Sequence, residues 1–172
     1  MGKIDVNIAI GGILDLANKY PVIVREETEK VMGIIVSRLE SEIVQKTPAG
    51  VGGVSGLRGS ITGQVVPFGM SVSGNVSVTG AAIAYGYVVE FGRKAGKLPP
   101  LHPIKLWLRR KLGFTEEEAN VISWPVAMKI KKKGTKGALM FTKTWEENER
   151  WVMNMLQTIS GRVVRRLENG IS

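Results

Sequence analysis

The stretch Tyr85-Gly86-Tyr87-Val88-Val89-Glu90-Phe91-Gly92-Arg93 decides how this chain is read. Tyrosines and valines with a single acid before Phe-Gly have the composition of a half-buried strand, leaving its sheet at a glycine that tolerates unusual backbone angles. The stretch runs on into the basic, proline-rich Lys97-Leu98-Pro99-Pro100-Leu101-His102-Pro103. Upstream of it the hydrophobic period is two. In Val72-Ser73-Gly74-Asn75-Val76-Ser77-Val78, for example, Val72, Val76 and Val78 fall on one face with small polar residues between them. The expectation is three antiparallel strands, over 61–66, 70–79 and 82–91, turning at Pro67 to Gly69 and near Gly80.

Helical patterns flank this meander. Glu26, Glu27 and Glu29 lead into Val31, Ile35, Leu39 and Ile43 at i, i+4 spacing, and Pro48 marks the end. After the prolines, Ile104, Trp107, Leu108 and Leu112 make an apolar stripe that Gly113 terminates. Thr115 with Glu118 is a capping-box pattern opening the next helix, which Pro125 is expected to kink or restart near Ser123 before it runs to Lys133. A turn over 134–137 and a short apolar piece over 138–141 follow. Thr144 with Glu147 is a second capping box, opening a last helix with Val152, Leu156, Ile159, Val163 and Leu167 on one side. The predicted class is α+β: a small antiparallel meander packed against a long N-terminal helix, short central helices and a long C-terminal helix. Between Thr47 and Gly63 the composition turns to Gly and Ser, which predicts a mobile loop or long turn.

At 172 residues the chain is most economically one domain, 1–172. The apolar run from Ile8 to Leu16 is too short to span a bilayer and is interrupted by Asp15, and Asp5 stands where a basic leader would be, so neither a membrane segment nor a signal peptide is expected. The absence of Cys excludes disulfides, thiolate metal sites and a cysteine nucleophile. The formal net charge is +9. From Glu90 to Lys136 there are twelve Lys or Arg against four acids, so this segment carries nearly all of it. A field of that sign attracts nucleic acid, an anionic surface or an acidic protein.

Groups fit for acid–base catalysis are scarce. His102, the single histidine, lies between prolines and reads as a surface turn residue. Glu116, Glu117 and Glu118 are consecutive, so they point different ways around a helix and stabilise its N-terminus instead of converging. Gly50-Val51-Gly52-Gly53 lacks the Gly-Lys-Ser/Thr that a phosphate-binding loop needs. The run Lys131-Lys132-Lys133, with Lys129 and Lys136, reads as a solvated helix end or as a surface for acidic partners or DNA. Glu90 either pairs at the surface with Arg93 or Lys94, or is buried between subunits, where it would be costly to leave unpaired. No enzyme, cofactor or metal is expected. The rival reading, a basic nucleic-acid-binding protein, lacks interleaved aromatics on a strand face and any helix-turn-helix signature.

Three separated pieces share one pattern. Thr47-Pro48 with its Gly-rich spacer and Leu57-Arg58-Gly59-Ser60-Ile61 resemble the "T-P, spacer, G-x-L-R-x-S-I" passage of the tail-component family of long-tailed bacteriophages, small neck or tail-completion proteins. Tyr85 to Gly92 resembles that family's "Y-A-x-x-V-E-F-G" strand, and Pro99 to Trp107 its proline segment and following helix. Lys129 to Thr135 is similar to its "I-x-x-x-G-T" step before a closing helix. Gly86 stands where the family usually has Ala, and Arg93 where it commonly has Thr. The resemblance implies a non-enzymatic virion protein, made in the host cytoplasm, that joins or completes the tail at the head–tail interface as a ring of six copies. Its partners would be copies of itself, connector or stopper, tail-terminator or tail-tube proteins, with non-specific contact to DNA and none to membrane. Thr47, Pro48, Leu57, Arg58 and Ser60 would form a partner-docking loop. Tyr85, Glu90, Phe91, Arg93, Lys94 and Trp107 would face the ring neighbour, and Lys129, Lys131, Lys132, Lys133 and Lys136 would form a basic surface.

Overall fold

A computed structural model describes residues 4–6, 13–50, 56–69 and 71–170. In chain order the elements are β1 (Ile4–Val6), α1 (Ile13–Lys19), α2 (Pro21–Lys46), β2 (Ile61–Phe68), β3 (Ser71–Val78), α3 (Ile83–Phe91), β4 (Gly92–Arg93), α4 (Leu101–Leu112), α5 (Glu116–Lys133), β5 (Thr135–Lys136) and α6 (Met140–Gly170). Short 3-10 turns occupy Leu57–Ser60 and Gly80–Ala82. The class is α+β. The described residues fall into two compact units, each built from separated stretches of chain: 4–44, 61–77 and 141–170 in one, 45–60 and 78–140 in the other.

In the first unit the i, i+4 stripe of α2 is buried as its spacing predicts, with Val31, Ile35, Leu39 and Ile43 all inside. Burying one such aliphatic side chain contributes about 1.5–3 kcal/mol, so these four residues alone bias the segment strongly toward a packed helix. On α6, Val152, Leu156, Ile159 and Val163 are buried in the same way. The two helices run antiparallel. Asn148 Nδ2 donates to Glu42 Oε2 at 2.5 Å, the Arg38 guanidinium lies 4.2 Å from the centre of the Trp151 ring, and Arg166 reaches Glu26 and Glu27. Residue numbers therefore rise along α6 as they fall along α2. The expected start of α6 at Thr144 is corrected: the helix opens at Met140, and Thr144 is a buried interior residue. Met140 and Phe141, read as a separate apolar piece, are both buried and are the helix's first anchors.

The sheet of this unit has the order β1-β3-β2. β1 pairs antiparallel with β3 in the register Ile4↔Val76, Asp5↔Asn75, Val6↔Gly74. This pairing overturns the third strand of the expected meander. The edge of β3 that 82–91 would have used is occupied by Ile4–Val6, and 83–91 is the helix α3. The strands near 61–66 and 70–79 are present, with β2 reaching Phe68 and so including Pro67, which had been expected in the turn. β3 lies close on α2, where a Cβ added at Gly74 would come 2.6 Å from Val36 Cγ2.

In the second unit α4 and α5 pack as an antiparallel hairpin. Ile104, Leu108, Ala119 and Ala127 form its buried centre, flanked by Leu98, Leu101, Phe114, Ile122, Val126 and Ile130. Gly113 closes α4 in the left-handed conformation at φ +74°. The capping box at the start of α5 is present: Thr115 Oγ1 accepts from the Glu118 N–H at 3.3 Å, and Glu118 Oε2 accepts from the Thr115 N–H at 2.8 Å. Those bonds, the backbone one first, hold the Glu118 carboxyl below its ordinary value. Two expectations are corrected here. Pro125 sits inside one continuous helix instead of restarting it, and Trp107 and Leu112 of the predicted buried stripe are exposed, leaving Ile104 and Leu108 as the buried pair.

Candidate functional site

α3 is a short helix turned inside out relative to an ordinary amphipathic one. Its buried residues Gly86 and Glu90 continue a four-residue spacing begun by the buried Ala82 just before its start. Exposed are Ile83 (50 %), Tyr87 (56 %) and Phe91 (50 %), with Ala84, Tyr85 and Val88 beside them. At 3.6 residues per turn these six cover an arc of roughly 200°, and none carries a charge. The Tyr87 and Phe91 rings lie 4.9 Å apart at 50°, a tilted aromatic pair on the helix surface. Contiguous exposed apolar surface of this kind marks an interaction site.

The end of α3 is tied to the end of α5 by backbone. The carbonyls of Val89 and Glu90, which no further turn of α3 satisfies, accept from the N–H groups of Ala138 at 2.8 Å and Leu139 at 2.9 Å. Between them β4 and β5 pair antiparallel, Gly92↔Lys136 and Arg93↔Thr135. The two segments approach so closely that a Cβ at Gly92 would lie 2.6 Å from the Gly137 N, and one at Gly134 would meet the Arg93 carbonyl oxygen. Gly92 (φ +79°, ψ −170°) and Gly134 (φ +70°, ψ −163°) also occupy a backbone region open essentially to glycine alone. A further bond, Gly96 N–H to the Lys131 carbonyl at 2.8 Å, carries the loop after β4 along the last turn of α5.

This crossing gathers the positive charge. Arg93, Lys94 and Lys97 come from one segment, and Lys129, Lys131, Lys132, Lys133 and Lys136 from the other, with no acidic residue in 91–97 or 129–137. All but the half-buried Arg93 are exposed, and Arg93 Nη2 donates to the Lys97 carbonyl at 2.8 Å. The opposite end of the hairpin is balanced: Arg109, Arg110 and Lys111 in the last turn of α4 meet Glu116, Glu117 and Glu118 in the first turn of α5, with Arg109 Nη1 3.2 Å from Glu116 Oε2.

Of the predicted ring-interface residues, Tyr85, Phe91 and Trp107 are exposed apolar side chains, and Arg93 and Lys94 follow directly on α3. Glu90 does not belong with them, since at 1 % exposure it is inside. Of the predicted docking loop, Thr47 and Leu57 are buried and act as anchors. Thr47 Oγ1 donates to Met140 Sδ at 3.0 Å, and Arg58 Nε reaches back to the Thr47 carbonyl at 2.6 Å. Thr79 donates to the Ser60 carbonyl through both its N–H (2.7 Å) and its hydroxyl (3.0 Å), so the later part of 47–63 is a fixed turn and strand. Pro48 is exposed, and 51–55 lie outside the described residues.

Sequence reasoning missed Ile83, Tyr87 and Val88 as surface groups. The signal available was the i, i+4 series Ala82, Gly86, Glu90. A shallow groove on the other unit, lined by Glu27, Thr158, Arg162, Arg165 and Arg166, has its Arg166 already committed to Glu26 and Glu27. Among the described residues no cluster of three or more His, Asp or Glu is placed to hold a metal, and no helix is long and apolar enough to cross a membrane. No family model, curated protein or solved structure matches the chain.

Proposed function

We propose that this chain is a structural subunit of a tailed bacteriophage particle, acting without catalysis at the junction of head and tail, where six copies close into a ring. The observation that carries the reading is the uncharged, outward face of α3. Each Å² of apolar surface removed from water contributes about 25 cal/mol, so a face of six such residues favours burial against another chain. A patch that meets a different surface on the next copy generates a ring when the rotation closes. The order of Thr47-Pro48, Leu57 to Ile61, Tyr85 to Gly92 and Lys129 to Thr135, which resembles the tail-component family, points to the same role.

The test is the double substitution Ile83→Glu with Tyr87→Glu, supplied in trans to a phage lacking this reading frame. Both side chains are half exposed, so the variant keeps the wild-type melting temperature in circular dichroism. The expected outcome is that it is absent from purified particles and that unjoined heads and tails accumulate. Normal infectious particles containing the variant would overturn the proposal.

A further inference from the structure

We infer that the basic end of the α4–α5 hairpin binds the phosphate backbone of duplex nucleic acid without reading its sequence. The inference rests on the charge crossing at Gly92 and Gly134, independently of the α3 face, and its failure leaves the ring reading untouched.

A helix C-terminus carries the equivalent of about half a negative charge, which favours a cation or two in the last turn. Eight cations from two segments more than thirty residues apart exceed that by far, and four of them, Arg93, Lys94, Lys97 and Lys136, are not on α5 at all. The balanced charge at the far end of the same hairpin shows that this fold tolerates a neutral end. Residues 129–133 at the end of α5 extend over about 7.5 Å at 1.5 Å per helical residue, and duplex DNA presents one negative charge per about 1.7 Å of its axis, or roughly four over that length. The four lysines of that turn, Lys129, Lys131, Lys132 and Lys133, supply cations at a comparable density, and Lys136 and the segment of Arg93, Lys94 and Lys97 add to them.

Seven of the eight cations are Lys, a flexible point charge with three rotatable donors that suits phosphate in any orientation. Adenine edges are read by Asn and Gln, absent from both segments, and guanine edges by Arg or Lys. The one Arg present, Arg93, has a guanidinium nitrogen engaged with the Lys97 carbonyl. The site therefore favours backbone contact over reading of sequence.

The experiment measures fluorescence anisotropy of full-length protein on two unrelated labelled duplexes of about 24 base pairs, from about 50 to about 200 mM salt. Equal affinity for both duplexes, within about threefold, is expected, with log K falling linearly in log salt. The triple variant K131Q/K132Q/K133Q should bind at least tenfold more weakly at about 100 mM salt and lower the salt slope by roughly 2–3, at about 0.9 per lost phosphate contact. The variant R109Q/R110Q/K111Q, which changes the net charge equally, should stay within about threefold of the wild type. The pair K94Q/K97Q repeats the test from the other segment should the first variant fail to fold. Equal weakening by the two triple variants, or no duplex binding at the lowest salt, would overturn the site. Competition by polyglutamate as effective per charge as unlabelled duplex would also overturn it, assigning the surface to an acidic protein.

Discussion

At Gly92 two demands meet in one residue: a backbone at φ +79° and ψ −170°, and a neighbouring strand whose Gly137 N lies 2.6 Å from where a Cβ would be. A side chain there is strained by about 1–3 kcal/mol through its dihedrals, and displacing packed backbone adds about 1–3 kcal/mol. Gly92→Ala is therefore expected to destabilise the protein by about 2–6 kcal/mol, read as a shift in the urea unfolding midpoint. Gly86 is the contrasting case. Its φ is helical, its nearest neighbours are the Val78 methyls at 3.3 and 3.4 Å, and Ala in mid-helix is favoured over Gly by about 0.5–1 kcal/mol. Gly86→Ala should stay within about 1 kcal/mol of the wild type. A large loss at Gly86, or none at Gly92, would mean that the α3–β4–β5 crossing is not packed as described.

The pairing of α2 with α6 has a pH signature. Glu27 Oε1 accepts from Lys30 Nζ at 2.7 Å and from Arg166 Nη1 at 3.1 Å, and these partners, the Lys30 bond foremost, hold its carboxyl below the ordinary 4.5. A group whose folded value is depressed contributes stability that is fully present above the unfolded value and is lost as pH falls through the folded one. Wild-type stability should therefore drop as pH is lowered below about 4.5, and Glu27→Gln should remove part of that drop while costing stability at pH 7, measured by urea unfolding at pH 7 and pH 3. An equal acid loss in both proteins would remove Glu27 from the account.

Element by element, legibility followed the strength of local signals. The stripe Val31 to Ile43, the Thr115–Glu118 cap and the stripe Val152 to Val163 were written in spacing, and each is where the sequence places it. The segment 83–91 was not. Its β-branched and aromatic content favours a strand, whereas the edge of β3 is taken by Ile4–Val6 and the segment is a helix that buries the small residues Ala82 and Gly86. The candidate site followed suit: the lysines stood out by charge, and Tyr85, Phe91 and Arg93 were singled out by the resemblance to the tail-component family. Their gathering by the Gly92–Gly134 crossing depends on contacts forty residues apart that no local pattern encodes.

For the molecule as a whole, the uncharged face and the charge cluster are consecutive in the chain, Phe91 closing α3 two residues before Arg93. Each copy carries a formal net charge of +9, so the proposed association of copies through the α3 face works against Coulomb repulsion. Repulsion between exposed charges is screened with a Debye length of about 8 Å at 0.15 M ionic strength and about 3 Å at 1 M. Screening removes the opposing force and leaves the apolar contact, so self-association at high protein concentration should strengthen as salt is raised. Polyanion binding must do the reverse, because added salt diminishes the gain from releasing condensed counterions. Sedimentation velocity across a NaCl series checks the first trend, and anisotropy on a duplex across the same series checks the second. Opposite signs are expected from one preparation. Oligomers that dissociate as salt rises would show that ionic contacts, and not the face of Ile83, Tyr87 and Phe91, hold the copies together.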